Sequence, residues 1–149
     1  MSIKILNWTV ALQEVPDEIS IVFNCTGCPI KCKGCHSKEL QDINNGYYLY
    51  LEDFKEILKK YKNKATCVCF MGGEWFDINE YLKESIKYGY KTALYTGLSE
   101  DRISIMIKEN LNYLKSGRYS IKYGGLNNIN TNQIFKNLKT GEILNYKFI

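Results

Sequence analysis

The sequence predicts an α/β protein in which strands and helices alternate along the chain. An apolar, β-branched run predicts a strand at 19–23, 65–71 has the composition of a buried strand, and a further strand is expected at 91–95. Apolar side chains at helical spacing predict amphipathic helices at about 51–62 and 78–86. Strands that alternate with helices pair in parallel through right-handed crossovers. We therefore expect a parallel central sheet.

The remaining elements are expected in the last third of the chain. Ser99 is a suitable N-cap for a third helix that would continue to about residue 110. A short strand is expected at 112–115. The segments 133–138 and 143–148 flank Lys139-Thr140-Gly141, which predicts a C-terminal β-hairpin.

Length, composition and charge exclude several classes of protein. The 149 residues fit one domain, 1–149, and fall well short of the roughly 250 residues of a complete (β/α)8 barrel. The net charge of +4 is mild, and the densest basic run, 59–64, ends a predicted helix, so no nucleic-acid partner is expected. No segment reads as a leader peptide or a membrane span, which predicts a cytoplasmic protein without a membrane partner.

The cysteines predict a metal centre. Four of the six lie within eleven residues, which in a reducing cytosol is more typical of metal binding than of disulfides. These four are Cys25, Cys28, Cys32 and Cys35. Four thiolates could hold a structural zinc ion, although zinc ribbons separate their cysteine pairs more widely. A tight loop suits an iron–sulfur cluster, and three ligands would leave one iron open.

Three of the loops should share one edge of the sheet. The cysteine loop, Gly72-Gly73-Glu74 and Thr96-Gly97 each follow a predicted strand directly. Ligands of parallel sheets gather beyond the carboxyl ends of the strands. These loops are therefore expected to lie on one rim and to form a site.

The motifs resemble those of a known family. Cys28-x3-Cys32-x2-Cys35 resembles the signature of radical S-adenosylmethionine (SAM) enzymes, and its surroundings resemble the activating protein of anaerobic (class III) ribonucleotide reductase. The similarity covers about residues 20–135. Its other motifs are Met71-Gly72-Gly73-Glu74, Tyr95-Thr96-Gly97, the segment 113–119, Gly124-Gly125-Leu126 and Thr131-Asn132-Gln133.

The resemblance implies a fold and a site. The fold would be a partial, incomplete β/α barrel forming a single radical SAM activase domain. A 4Fe–4S cluster would be bound by Cys28, Cys32 and Cys35, with one iron open for SAM. Gly72, Gly73 and Glu74 would meet the methionine amino group of SAM. Thr96 and His36 are further candidates for cofactor contacts.

The resemblance also implies a reaction. Reductive cleavage of SAM would give a 5′-deoxyadenosyl radical that removes a hydrogen atom from a glycine of the large reductase subunit, which is the expected protein partner. A flavodoxin or ferredoxin-type protein would donate the electron.

Other interpretations stay open at this point. The partner could be a different, formate lyase-like glycyl radical enzyme. Alternatively, the protein could be a non-enzymatic metal-binding module in which Cys25 is a fourth thiolate ligand. A thiol oxidoreductase using Cys32 and Cys35 is disfavoured, because Gly34 is a poor helix former. Cys67 and Cys69 are two residues apart on a predicted strand, so their side chains share one face. Both are expected to be buried core residues.

Overall fold

The fold is an open seven-stranded sheet with helices on one face. It was obtained as a computed structural model that describes residues 2–27, 42 and 44–149. The strands are β1 (Ser2–Leu12), β2 (Ile19–Cys25), β3 (Tyr47–Tyr50), β4 (Cys67–Met71), β5 (Lys91–Tyr95), β6 (Tyr113–Ser116) and β7 (Ile134–Asn137). The helices are α1 (Leu51–Tyr61), α2 (Asn79–Lys87) and α3 (Ile105–Glu109).

The centre of the sheet is parallel, as the alternation of strands and helices predicts. The strand order is β3-β1-β2-β4-β5-β6-β7, and β2, β4, β5 and β6 are mutually parallel. The outer pairs are antiparallel: β1 pairs with β2 and β3, and β7 pairs with β6. Neither β1 nor β3 is predicted from the sequence.

The three α-helices of the described residues lie on one face of the sheet, as in a β/α barrel and unlike a doubly wound sheet, which has helices on both faces. Phe23, Phe70 and Leu94 from the strands share one buried cluster with Phe54 of α1 and Leu82 of α2. The same cluster contains Ile107 of α3. The predicted class, an incomplete β/α barrel, is confirmed.

The opposite face of the sheet, here called the interior face, has a core of its own. Cys67, Cys69 and Tyr95 lie on this face together with Phe135 of β7. Leu126 and Leu144, from the segments before and after β7, cover them. The C-terminal segments therefore occupy the side that the helices leave open.

The third helix begins later than predicted. Ser99 precedes a 3-10 turn, Glu100–Arg102, and its side chain makes no capping hydrogen bond. The N-cap of α3 is Ser104, whose Oγ accepts a hydrogen bond from the backbone N–H of Ile107 at 3.3 Å. Ser104, and not Ser99, is therefore the N-cap, and its side chain satisfies one of the N–H groups that have no partner within the helix.

The C-terminal hairpin is only partly present. The chain reverses at 139–141, but its second arm makes a single bridge, Lys136 to Ile143, and then forms a 3-10 helix, Asn145–Phe148. The Asn145 side chain makes hydrogen bonds to the backbone of 133–135 that a second strand would otherwise make. Its Oδ1 accepts from the N–H of Phe135 at 2.7 Å, and its Nδ2 donates to the carbonyl of Gln133 at 2.8 Å.

Candidate functional site

Three loops meet at the carboxyl ends of β2, β4 and β5. In the strand register Met71 pairs with Asn24 on one side and with Tyr95 on the other, so the three strands end level. The Trp75 indole Nε1–H donates to the carbonyl of Thr26 at 2.9 Å. The N–H of Gly72 donates to the carbonyl of Tyr95 at 2.8 Å. The expected convergence on one rim is confirmed for the described parts of these loops.

The predicted iron ligands Cys28, Cys32 and Cys35, and the candidate cofactor residue His36, lie outside the described residues. The chain is described up to Gly27, two residues beyond the end of β2. The segment that contains these four residues therefore begins at the rim. Their assignment as ligands stays a prediction.

Cys25 faces away from the interior face of the sheet. Its side chain is fully buried and belongs to the cluster that the helices cover. Burial raises the pKa of the Cys25 thiol well above its usual range, and the nearby Glu74 carboxylate acts in the same direction. A ligand set without Cys25 stays a prediction.

Gly72 and Gly73 form a tight turn that excludes side chains. Their φ angles are +77° and +99°, a region that L-residues rarely adopt. A Cβ at Gly73 would lie 2.8 Å from the Cys25 Sγ, and a Cβ at Gly72 would lie 2.5 Å from the Trp75 ring. Both glycines are therefore required by packing as well as by backbone conformation.

Glu74 follows this turn, and only one of its two carboxylate oxygens has a hydrogen-bond partner among the described residues. Glu74 Oε1 accepts a hydrogen bond from the Thr96 hydroxyl at 2.6 Å. Glu74 Oε2 is buried and has no hydrogen-bond partner among the described residues. Burial raises the pKa of Glu74, although the Thr96 hydrogen bond and the charge of Lys115 act against this. A buried, unsatisfied acceptor is costly, so this oxygen suits a cationic ligand group.

Thr96 contacts the turn and not the solvent. Only 2% of the residue is exposed. Its Oγ1 donates to Glu74 and accepts from the N–H of Leu98 at 3.1 Å. The structure thus brings together Gly72, Gly73, Glu74 and Thr96, four of the five candidate cofactor residues.

A cleft of about 930 Å³ opens on the interior face beside this turn. Met71, the last residue of β4, and Lys115 of β6 are part of its lining. Its lining is Met71, Lys115, Tyr119, Gly124, Gly125, Asn127, Asn128, Ile129, Gln133 and Ile149. Ligand sites commonly have volumes of about 300–1,000 Å³, and the polar groups here come mostly from one loop.

The sequence predicts only part of this cleft. Tyr119, Gly124, Gly125 and Gln133 belong to the motifs that carry the family resemblance, but these motifs do not by themselves indicate a cleft. Gln133 is 4% exposed and its Nε2 donates to the carbonyl of Gly117 at 3.2 Å, which fixes the cleft wall. Asn127, Asn128 and Ile149 were not identified, since no pattern in their neighbourhood signals a ligand.

Cys67 and Cys69 are core residues, as expected. Both are fully buried on the interior face. Burial raises the pKa of the Cys67 thiol to about 12 and also raises that of Cys69. No group of three or more potential metal ligands occurs within 2–27, 42 and 44–149.

The described helices include none long and apolar enough to cross a bilayer.

Comparisons with known proteins identify the family. Residues 19–122 match the family model described as "4Fe-4S single cluster domain". Among solved structures, the crystal structure of QueE from Escherichia coli has a similar fold, with a TM-score of 0.61 and 16% sequence identity over 82% of this chain and 74% of that chain. No curated protein sequence matches. With the matched region covering most of the chain, including the whole cysteine segment, this protein belongs to the 4Fe-4S single cluster domain family.

Proposed function

We propose that this protein is a radical SAM enzyme that activates a glycyl radical enzyme. The observation that carries the proposal is Glu74: a buried carboxylate with one unsatisfied oxygen, on a glycine turn at the rim where the cysteine segment begins. The methionine part of SAM carries an ammonium group that such an oxygen would bind. Membership of a 4Fe–4S family supplies the second half of the argument.

Cys28, Cys32 and Cys35 would hold the cluster. Bound together, a reduced cluster and SAM supply one chemistry, the reductive cleavage of the sulfonium carbon–sulfur bond to methionine and a 5′-deoxyadenosyl radical. Glu74 would hold the ammonium group, and the Gly72-Gly73 turn would allow the ligand to approach the backbone closely. His36 remains a candidate for a further contact.

The cleft would receive the group from which hydrogen is removed. Its polar lining, including the side chains of Asn127, Asn128 and Gln133, offers hydrogen bonds suited to a peptide backbone. Tyr119, Gly125 and Gln133 lie in segments that resemble the activating protein of anaerobic ribonucleotide reductase. We therefore propose a glycine of the large reductase subunit as the substrate and a flavodoxin or ferredoxin-type protein as the electron donor.

Anaerobic reconstitution with iron and sulfide tests the proposal. With SAM and a one-electron reductant, the protein should release 5′-deoxyadenosine and methionine. With the reductase large subunit present, a glycyl radical signal should appear in the electron paramagnetic resonance spectrum of that subunit. Appearance of the signal only with a formate lyase-like enzyme would reassign the partner. Failure to cleave SAM, or purification with zinc alone, would refute the proposal.

A pair of cysteine variants separates three-ligand from four-ligand binding. Cys25→Ala should retain the iron and sulfide content of the wild-type protein, because the Cys25 thiol is buried on the helix side of the sheet. Cys69→Ala provides the matched control, since it removes a buried strand thiol elsewhere. Cys28→Ala should lose the cluster. Loss of iron from Cys25→Ala at a temperature where the variant is folded would instead support a four-cysteine, non-catalytic module.

A further inference from the structure

Thr96 has a single hydroxyl proton, and the hydrogen-bond partners of its oxygen indicate which bond that proton makes. The Thr96 Oγ1 accepts a hydrogen bond from the N–H of Leu98, two residues later in the same loop. A backbone N–H can only donate, so this contact uses an acceptor position of the hydroxyl. The hydroxyl proton is then left for Glu74 Oε1, which lies 2.6 Å away.

This arrangement makes the two oxygens of Glu74 unequal. Oε1 is satisfied from within the protein, whereas Oε2 has no partner among the described residues. The contact joins the loops after β4 and β5, which are 22 residues apart in sequence. It therefore fixes the rotation of a carboxylate whose own loop is held at the backbone by two glycines of positive φ.

We propose that Thr96 is a positioning residue for SAM that acts through Glu74, holding Oε1 so that Oε2 faces the ammonium group of the ligand. The inference rests on the proposed function, since it takes the ligand of Glu74 to be SAM. It differs from a hydrogen bond donated directly by Thr96 to the ribose or carboxylate of the ligand, because the hydroxyl proton is already used in the bond to Glu74.

The same contact helps to keep Glu74 charged. Burial is the largest influence and raises the pKa of Glu74; the Thr96 hydroxyl, the backbone N–H of Glu74 and the charge of Lys115 on β6 each lower it. Cys25 on β2 also faces Glu74 but is a neutral thiol, because its own pKa is raised. Removing the hydroxyl should therefore raise the pKa of Glu74 further.

The experiment measures the dissociation constant of SAM between pH 5.5 and 8.5 on the oxidised, reconstituted protein without reductant, so that no turnover occurs. Wild-type affinity should fall as the pH drops through the pKa of Glu74, because a protonated carboxyl no longer pairs with the ammonium group. In Thr96→Val the midpoint of this fall should move up by about one pH unit, so that binding becomes about two- to fivefold weaker between the two midpoints and about tenfold weaker well below both.

Two further variants provide controls. Thr96→Ser keeps the hydroxyl and should restore the wild-type midpoint. Thr92→Val makes the same substitution at another buried threonine, on β5 itself, whose hydroxyl donates to the carbonyl of Asn110, and should leave the midpoint unchanged. Thr96→Ala serves as a second hydroxyl-free variant if Thr96→Val does not fold, with the same expected shift.

The outcomes separate the inference from the function on which it rests. A wild-type protein that does not bind SAM at any pH refutes the proposed function. Binding by the wild type, together with an unchanged midpoint in the hydroxyl-free variants, overturns the role of Thr96. A uniform loss of affinity at every pH also overturns it, because a merely structural defect would produce that result.

Discussion

Gly73 is a residue at the rim where an added methyl group should be poorly tolerated. In Gly73→Ala the new Cβ would lie 2.8 Å from the Cys25 Sγ in a backbone region with φ of +99°. Strain and overpacking should together lower the free energy of unfolding by about 2–4 kcal/mol. Chemical denaturation followed by circular dichroism measures this loss.

Gly89→Ala is the matched control for this substitution. Gly89 has a similar φ of +89°, but a Cβ there would meet no atom within 4 Å. Only the backbone cost should remain, about 1 kcal/mol. Equal losses in the two variants would show that the contact with Cys25 adds nothing to the requirement for glycine.

Glu74 should make the stability of the SAM-free protein depend on pH. Its pKa is raised above the unfolded value of 4.5, so the folded state binds the proton more tightly. The free energy of unfolding should therefore fall as the pH rises from 4.5 through the folded pKa. Glu74→Gln removes this ionisation while keeping an acceptor for Thr96. The stability of the variant relative to the wild type should therefore increase between pH 5 and pH 8.

Denaturation at these two pH values measures the effect. Glu52→Gln, on the exposed surface of α1, should show the same pH dependence as the wild type, because the Glu52 side chain is 84% exposed. A difference between wild type and Glu74→Gln that does not change with pH would contradict the assignment of a raised pKa to this carboxylate.

For individual residues, the sequence indicates which of them belong to the candidate site more readily than it indicates how they contact one another. Gly72, Gly73 and Glu74 can be selected because a glycine pair followed by an acid ends a strand. The hydrogen bond from Thr96 to Glu74 cannot be predicted from the sequence, because it depends on two loops that meet at the end of a parallel pair of strands.

At the scale of elements, the start of α3 provides a direct test of helix capping. Ser104→Ala removes the side chain that accepts from the N–H of Ile107 and should lower the free energy of unfolding by about 1 kcal/mol. Ser99→Ala, at an equally exposed serine that caps no helix, should change it by less than about 0.5 kcal/mol. Thermal unfolding of both variants would distinguish them, and the reverse order would restore the helix start predicted from the sequence.

The central elements could be predicted because their cause is local. Strand 67–71 is a continuous apolar run, strand 91–95 ends in three apolar residues, and helix 51–61 has a regular apolar face. The edge strands depend on pairing instead. In β1 only alternate residues near its start, such as Ile3 and Ile5, are buried, and its partners lie up to about 48 residues away in the chain. Such a strand carries a weak local signal.

For the whole molecule, the two ends of the parallel sheet should have separate roles. The candidate site lies at the carboxyl ends of the strands, as in other β/α folds, where the opposite end contributes stability. At that opposite end Glu18 is only 7% exposed. Its Oε2 accepts from the Tyr113 hydroxyl at 2.9 Å and from the Lys91 Nζ at 3.1 Å. Glu18 thus connects the starts of β2, β5 and β6.

Glu18→Ala should therefore destabilise the protein without affecting the site. It leaves the Tyr113 hydroxyl, which is nearly buried, without its acceptor, at a cost of about 1–3 kcal/mol. Glu56→Ala is the control: its ion pair with Lys59 has the same 3.1 Å length but is exposed, and its loss should cost less than about 1 kcal/mol. Denaturation midpoints measure both changes, and iron content should stay at the wild-type level. Loss of iron from folded Glu18→Ala would mean that the two ends of the sheet are coupled.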